Sequence, residues 1–256
     1  MDNYYAERNS LISDRKYDLS DLRKLFIHFH DTLRLEGYLE RFYGGIIGGN
    51  WYNSAYGSDI NAFGLAETGF RGILPVDNYT AYTETQIFTL IELFYNYVND
   101  INYSHLSNGK EEYRKRINKI LSSYGKGWEF TKEGYVRELI EDGLSELVDN
   151  TYEDSSTYSE VQKVKQKFLK YDSTLDDKKD ALIRLGSILE PLRAEMTTKI
   201  SKEDTSAIFN ILNNFQLRHN NANQKTDYDK DIYYPWMFYQ ILAALDAFLK
   251  IKEQEQ

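Results

Sequence analysis

The stretch TLDDKKDALIRLGSILEPLRAEM, residues 174–196, decides the fold. Its apolar residues recur at alternating spacings of three and four, which is typical of an α-helix with one buried face. Thr174 and Asp177 form a T-x-x-D capping box at the predicted helix start. Pro191 lies inside the stripe and cannot donate a hydrogen bond to the carbonyl of Ser187, so we expect the helix to bend there. The stripe consists of Leu182, Leu185, Leu189, Leu192 and Met196.

Similar patterns flank this helix. A preceding helix is predicted over about 159–170, and a following one carries the apolar residues Ile208, Ile211, Leu212 and Phe215. The last helix is predicted from about Tyr234 to Ile251, with Pro235 in its first turn, where a missing N–H costs little. Because short connections join these amphipathic helices, the sequence predicts an antiparallel four-helix bundle.

The N-terminal part is also mainly helical by pattern. We predict a first helix with Ser20 as its N-cap, a second capped by Thr83, and a third over 111–124. The stretch 43–75 is rich in glycine and aromatic residues without a sustained period, and it predicts a long ordered loop. The predicted fold class is therefore mainly all-α. The predicted domains are 1–148 and 159–256, joined by an acidic, Ser/Thr-rich linker at 149–158.

Composition narrows the possible functions. With 256 residues and 41% hydrophobic residues, the chain can bury a proper core. It has no run of about 18 apolar residues, and its start lacks the apolar segment of a signal peptide, so we expect a cytoplasmic protein without a membrane partner. The chain has no cysteine, which excludes disulfides and cysteine chemistry.

The net charge of −9 argues against general nucleic-acid binding, because phosphate neutralisation by Lys and Arg supplies most of that affinity. Residues 160–256 carry equal numbers of acidic and basic side chains, so the deficit lies in the rest of the chain. Any contact with RNA must therefore be local. The strongest basic segment is GKEEYRKRINKI, residues 109–120, for which a solvated helix face is the competing interpretation.

Three stretches of the C-terminal part carry a family resemblance: DALIRLGSILEPLR, FNILNNFQLRHNNANQKTDYD and YYPWMFYQILAALDAFL. In this order they resemble the HEPN helical bundle of bacterial abortive-infection proteins. The N-terminal stretches GYLERFYGG, QIFTLIELFYNYVND and YRKRINKILSSYGKGWEFTKEGYV resemble the helical domain that precedes such a bundle in AbiJ-like proteins. The resemblance spans most of the chain.

This resemblance implies an anti-phage defence role, with the bundle acting as a metal-independent endoribonuclease or toxin at a homodimer cleft. RNA would be the substrate, and an antitoxin or another defence protein would be a further partner. In that chemistry an arginine stabilises the charge on phosphorus, while a histidine moves protons as the ribose 2′-OH attacks. No cofactor and no metal are implied.

The segment FQLRHNNANQK, residues 215–225, supplies Arg218 and His219 as the predicted catalytic pair. The HEPN signature separates its Arg and His by four to six residues, whereas these two are adjacent and would point about 100° apart on a regular helix. A packed histidine and a helix-end arginine are the competing interpretation. The predicted supporting residues are Asn220, Asn221, Glu190, Tyr228 and Asp229.

Arg23 stands in the HEPN spacing to His28 and to His30, but chance alone yields a comparable match in a chain of this length. Two function classes thus stay open. One is a ribonuclease that uses Arg218 and His219. The other is a non-catalytic interaction or sensor protein of a defence or toxin–antitoxin system, in which the HEPN-like bundle serves dimerisation and partner binding.

Overall fold

The structure, a computed structural model, describes residues 16–47, 49–78, 80–99, 108–125, 127–140, 142–150, 155–215 and 227–254. The chain divides into two compact units, Met1–Leu139 and Ile140–Gln256. Helices dominate the described parts of both units, which confirms the predicted mainly all-α class.

The N-terminal unit combines helices with two short antiparallel hairpins, each built from three-residue strands. The first pairs Ile46 with Trp51, and the second pairs Glu129 with Arg137. The elements are α1 (Leu19–Leu35), α2 (Glu40–Tyr43), β1 (Gly45–Ile47), β2 (Asn50–Tyr52), α3 (Ile60–Thr68), α4 (Glu84–Tyr95), α5 (Gly109–Leu121), β3 (Trp128–Phe130) and β4 (Val136–Glu138).

Side-chain caps set the helix starts in this unit. Asp18, rather than the predicted Ser20, caps α1, because its carboxylate accepts a hydrogen bond from the backbone of Asp21 and the Asp21 side chain accepts one in return. Thr83 caps α4 as predicted, in a reciprocal box with Gln86.

The predicted long loop over 43–75 is wrong, because it contains the first hairpin and α3. Asp59 starts α3 by accepting hydrogen bonds from the backbone N–H groups of residues 61 and 62, and Gly69 ends it in the left-handed conformation. Three aromatic residues of this stretch, Tyr43, Tyr56 and Phe63, pack around Phe42. The centroid of the Phe42 ring lies 4.9–5.8 Å from theirs and from those of Phe94 and Tyr97.

The C-terminal unit is helical throughout its described part. Its elements are α6 (Asp142–Asp149), α7 (Ser155–Leu169), α8 (Leu175–Leu189), a 3₁₀ turn (Glu190–Leu192), α9 (Arg193–Lys199), α10 (Lys202–Asn214) and α11 (Lys230–Gln254). One apolar core joins them, with the ring of Phe168 on α7 stacked 4.1 Å from that of Phe238 on α11.

The unit boundary lies before the linker predicted at 149–158. Val148 on α6 is buried in the C-terminal core, and the amide of Asn150 donates a 2.8 Å hydrogen bond to Asp246 on α11. Residues 140–150 therefore pack with the helices that follow them. Residues 151–154 lie outside the described part of the chain, and α7 begins at Ser155.

The capping box of Thr174 and Asp177 is present at the start of α8. Pro191 interrupts the helix where the sequence predicted a bend: α8 ends at Leu189, a 3₁₀ turn follows, and α9 starts at Arg193. Leu182, Leu185, Leu189 and Met196 are all buried. The same core face therefore continues through the break.

The last helix is longer at its start than predicted. α11 begins at Lys230, so Pro235 lies inside the helix rather than in its first turn. The carbonyl of Asp231 consequently receives no hydrogen bond from residue 235. Buried residues along α11 explain why the helix tolerates this: Tyr234, Met237, Phe238, Ile241, Leu242, Leu245, Phe248 and Leu249 all belong to the core.

Candidate functional site

The predicted catalytic pair lies in the segment between α10 and α11. Arg218, His219, Asn220 and Asn221 fall outside the described residues, so their roles stay predictions. α10 ends at Asn214, before the pair is reached. The residues on both sides of the segment 216–226 are described, and they define how its two ends are held.

An aromatic cluster holds the two ends of the segment together. We call Phe215, Tyr228, Tyr233, Tyr234 and Trp236 the aromatic clamp. The ring of Phe215 lies 5.2 Å from Tyr228, 5.6 Å from Tyr233 and 6.2 Å from Trp236, between centroids. Edge-on and tilted contacts of this kind are favourable beyond the area that they bury. The residues that flank the segment 216–226 are therefore held side by side.

Hydroxyl groups reinforce the clamp. The Tyr228 hydroxyl donates a 3.2 Å hydrogen bond to the backbone carbonyl of Phe215 and accepts one from the hydroxyl of Tyr234. Burial first, and then the neighbouring Tyr228, raise the pKa of Tyr234 to about 12. Burial also raises the pKa of Tyr228. Both hydroxyls thus stay protonated at neutral pH and serve as hydrogen-bond donors.

Asp229, predicted as a supporting residue, caps α11. Its carboxylate accepts a 3.0 Å hydrogen bond from the backbone N–H of Asp231, and its carbonyl accepts one from Tyr233. This contact fixes where α11 begins. The described contacts of Tyr228 and Asp229 are therefore structural: they join the two described stretches that flank the predicted pair.

Glu190 is exposed at the start of the 3₁₀ turn, and its backbone N–H donates to the carbonyl of Gly186. The sequence suggested a bond between Glu190 and Arg218 across the bundle. Since Arg218 lies beyond the described residues, this bond stays a prediction.

α11 also presents apolar side chains to solvent beside the clamp. Ile232 is 65% exposed, Trp236 is 43% exposed and Tyr233 is 38% exposed. Further along the same helix, Gln240, Ala243 and Ala247 are exposed at spacings of three and four. Large apolar groups exposed together commonly mark an interaction surface.

The C-terminal unit contains a buried polar group that was not predicted from the sequence. Lys165 on α7 is only 1% exposed, and its ammonium donates a 3.3 Å hydrogen bond to the carbonyl of Asn150. The Asn150 amide in turn donates to Asp246, whose other carboxylate oxygen lies 3.0 Å from the Lys250 ammonium. A lysine at a core position of the α7 stripe was the available signal. These bonds connect α6, α7 and α11 to one another, which indicates a structural role for the buried lysine.

Arg23, His28 and His30, the residues of α1 that have the HEPN spacing, lie in two different environments. His30 is buried: its Nδ1 donates to Asp31 at 3.0 Å, and its Nε2 accepts from the Tyr43 hydroxyl at 2.7 Å. Burial lowers the pKa of His30, with Asp31 opposing the shift, so the ring is neutral at pH 7. Arg23 and His28 instead line an open pocket. His30 therefore does not share a site with them.

The basic segment of α5 is partly engaged within the N-terminal unit. Arg116 bonds to Glu112 at 2.6 Å and to Glu36 at 2.7 Å, and the Lys110 ammonium lies 5.0 Å from the ring centroid of Tyr95. Lys115 and Lys119 are exposed. These contacts favour a solvated helix face over a nucleic-acid groove.

The described ranges contain neither a metal-binding cluster nor a membrane-spanning helix. Among those residues, no group of three or more His, Asp or Glu side chains is arranged to hold a metal ion. Within the same part of the chain, every helix is too short or too polar to cross a membrane. Comparison with protein-family models, with curated proteins and with solved structures finds no match to this chain.

Proposed function

We propose that the protein is an anti-phage defence ribonuclease of the HEPN type, in which Arg218 and His219 act on RNA. The observation that carries the proposal is the aromatic clamp: the only histidine of residues 140–256 lies, beside an arginine, in the segment 216–226, and Phe215, Tyr228 and Asp229 on either side of that segment are held by described hydrogen bonds. Catalytic residues are often found in segments that a rigid scaffold positions.

The chemistry that this residue set supports needs no metal. A neutral His219 imidazole accepts the proton of a ribose 2′-OH, whose oxygen attacks the adjacent phosphorus. Arg218 stabilises the negative charge that develops on the phosphoryl oxygens. The bond to the 5′-oxygen breaks, and that oxygen takes up a proton, which leaves a 2′,3′-cyclic phosphate and a 5′-hydroxyl. DNA lacks the attacking group and is spared.

A homodimer completes the proposal. The pair is adjacent in sequence, so two subunits could supply Arg218 from one chain and His219 from the other at a shared cleft. The exposed Ile232, Tyr233 and Trp236 support a subunit interface on this face of α11, because burying their apolar surface on dimerisation is favourable. The same apolar surface would equally suit an antitoxin or another defence protein, in keeping with the non-catalytic alternative.

The decisive experiment incubates the purified protein with total RNA in EDTA. We expect cleavage by the wild type, and a loss of about 100-fold or more in Arg218→Ala and in His219→Ala, as for removal of a charge-stabilising group or a general base. Lys202→Ala is the matched control, because it removes an exposed cation at the start of α10, about 20 Å along the helix from its last residue, Asn214. Cleavage that requires added Mg²⁺ would contradict this chemistry.

Dimerisation is tested separately. Light scattering should give about twice the chain mass of 30.1 kDa. Ile232→Glu, which places a charge on the exposed face without touching the clamp, should give monomers, whereas Leu175→Glu, at an exposed position of α8, should not. When inactive Arg218→Ala and His219→Ala subunits are mixed, activity should return. An active monomer would remove the shared cleft, and an inactive dimer would favour the non-catalytic alternative.

A further inference from the structure

The N-terminal unit contains an open pocket of about 510 Å³ between one face of α1 and the residues Asn78, Thr80 and Ala81. Three basic side chains of α1 line it, namely Arg23, Lys24 and His28. Lys24 and His28 are four residues apart and therefore neighbours on the helix surface. Ser20, Asn78 and Thr80 add neutral hydrogen-bonding groups to the wall.

The wall opposite α1 is held rigidly. Arg23 Nε donates a 2.6 Å hydrogen bond to the carbonyl of Tyr82, which ties α1 to this wall. Tyr82 is buried, and its hydroxyl lies 3.3 Å from the carbonyls of Ile73 and Pro75. Asp77 accepts hydrogen bonds from both the backbone N–H and the hydroxyl of Thr80. The pocket is therefore preformed, which limits the ordering cost of binding.

The pocket lining is rich in basic side chains, whereas the whole protein is acidic. Within the described chain, the bond to Tyr82 uses only Nε of Arg23, and the terminal nitrogens have no acceptor there. The ammonium of Lys24 and the ring of His28 likewise have no side-chain partner among the described residues. Asp31 is the one carboxylate of the pocket lining, and one of its oxygens already accepts the His30 N–H. In a protein of net charge −9, a pocket lined by three basic side chains and one carboxylate indicates an anionic ligand.

We propose that this pocket binds a phosphate ester of mononucleotide size. A phosphate group offers several oxygens to the donors of Arg23, Lys24 and His28, and charge-assisted bonds of this kind are the strongest in proteins. The volume falls in the range of about 300–1,000 Å³ that is usual for small ligands. Ser20, Asn78 and Thr80 can bond to sugar hydroxyls. This site is independent of the ribonuclease proposed for Arg218 and His219.

Titration calorimetry of the full chain tests the proposal with three probes: AMP, inorganic phosphate and adenosine. We expect AMP and phosphate to bind and adenosine not to bind. Arg23→Lys and Lys24→Ala should each weaken AMP binding about tenfold or more, as expected for the loss of one charge-assisted hydrogen bond, and His28→Asn should weaken it measurably through the loss of the ring donor. Arg41→Ala, which removes an exposed arginine of α2 outside the pocket, should bind AMP like the wild type.

Binding of phosphate as tight as that of AMP would show that the sugar and base add nothing and would overturn the mononucleotide size of the ligand. Adenosine binding as tight as that of AMP, no saturable binding of AMP or phosphate, or unchanged binding by the three pocket variants would each overturn the proposal. Lys24 and His28 are exposed, and their replacement leaves the bond from Arg23 to Tyr82 intact. These two variants thus give a result even if Arg23→Lys fails to fold.

Discussion

Replacing Tyr228 by Phe removes one oxygen atom from the aromatic clamp and leaves its ring in place. That oxygen donates to the carbonyl of Phe215 and accepts from the hydroxyl of Tyr234. Each bond contributes about 1 kcal/mol to the free energy of unfolding. Tyr234 is only 2% exposed, so its hydroxyl would be left buried without this acceptor. We therefore expect Tyr228→Phe to lower the unfolding free energy by about 2 kcal/mol.

For a unit spanning Ile140–Gln256, this loss corresponds to a melting temperature lower by roughly 8 °C. Urea unfolding followed by circular dichroism measures the change. Tyr233→Phe is the matched control, because its ring also contacts Phe215 while its side chain is 38% exposed, and it should change stability by less than about 0.5 kcal/mol.

A double-mutant cycle isolates the hydroxyl pair. Tyr228→Phe and Tyr234→Phe remove the same bond, so the double variant should lose less stability than the sum of the two single losses. If Tyr228→Phe is as stable as Tyr233→Phe, the hydroxyl chain does not stabilise the clamp and the reasoning fails. If the segment 216–226 carries the proposed ribonuclease site, Tyr228→Phe should also slow RNA cleavage, whereas Tyr233→Phe should not.

Three further predictions concern the N-terminal unit. Burial lowers the pKa of His30 below its usual 6.5, so on acidification the unfolded chain binds a proton before the folded chain does. Stability should therefore fall as the pH drops below about 6.5, and melting temperatures of His30→Gln should not show this pH dependence. Arg137 is 3% exposed and pairs with Glu129 at 2.7 Å, so Glu129→Ala should cost about 2–3 kcal/mol in urea unfolding, whereas a surface pair would cost under 1. A Cβ on Gly109 would meet the backbone carbonyl of Asn99, which cannot move aside like a side chain, and Gly109→Ala should therefore lower the melting temperature by a margin equivalent to about 2 kcal/mol or more.

Local signals explain which parts of the fold could be predicted from the sequence. The capping boxes at Thr83 and Thr174 and the break at Pro191 depend on residues within one or two turns of each other, so the pattern alone locates them. The helix α3 was missed although Asp59 and Gly69 are ordinary start and stop signals. Between them the residues are apolar on more than one side, which hides the helical period.

Long-range packing explains the rest. The helix α6 was placed with the N-terminal domain because an acidic, Ser/Thr-rich stretch follows it, but the burial of Val148 is decided by helices distant in sequence. The start of α11 was placed a turn too late because Pro235 resembles a first-turn proline, whereas Asp229 supplies the actual cap.

Local signals and long-range packing likewise explain which features of the candidate site could be predicted. The sequence drew attention to Tyr228 and Asp229, but the contact of Tyr228 with Phe215 joins residues 13 positions apart, which no local pattern predicts. The spacing of Arg23 and His28 carried almost no information by itself. It is the packing of Asn78, Thr80 and Ala81 near α1 that places them in one pocket.

A recombination breakpoint between codons 139 and 140 would leave the C-terminal core whole, because its described buried apolar residues all come from positions 140–249. A breakpoint after codon 150 would instead separate Val148 and Asn150 from their partners. Gene fusions that survive selection should therefore join at the first position rather than the second. Chains that share only one half with this protein are expected to diverge from it abruptly near residue 140.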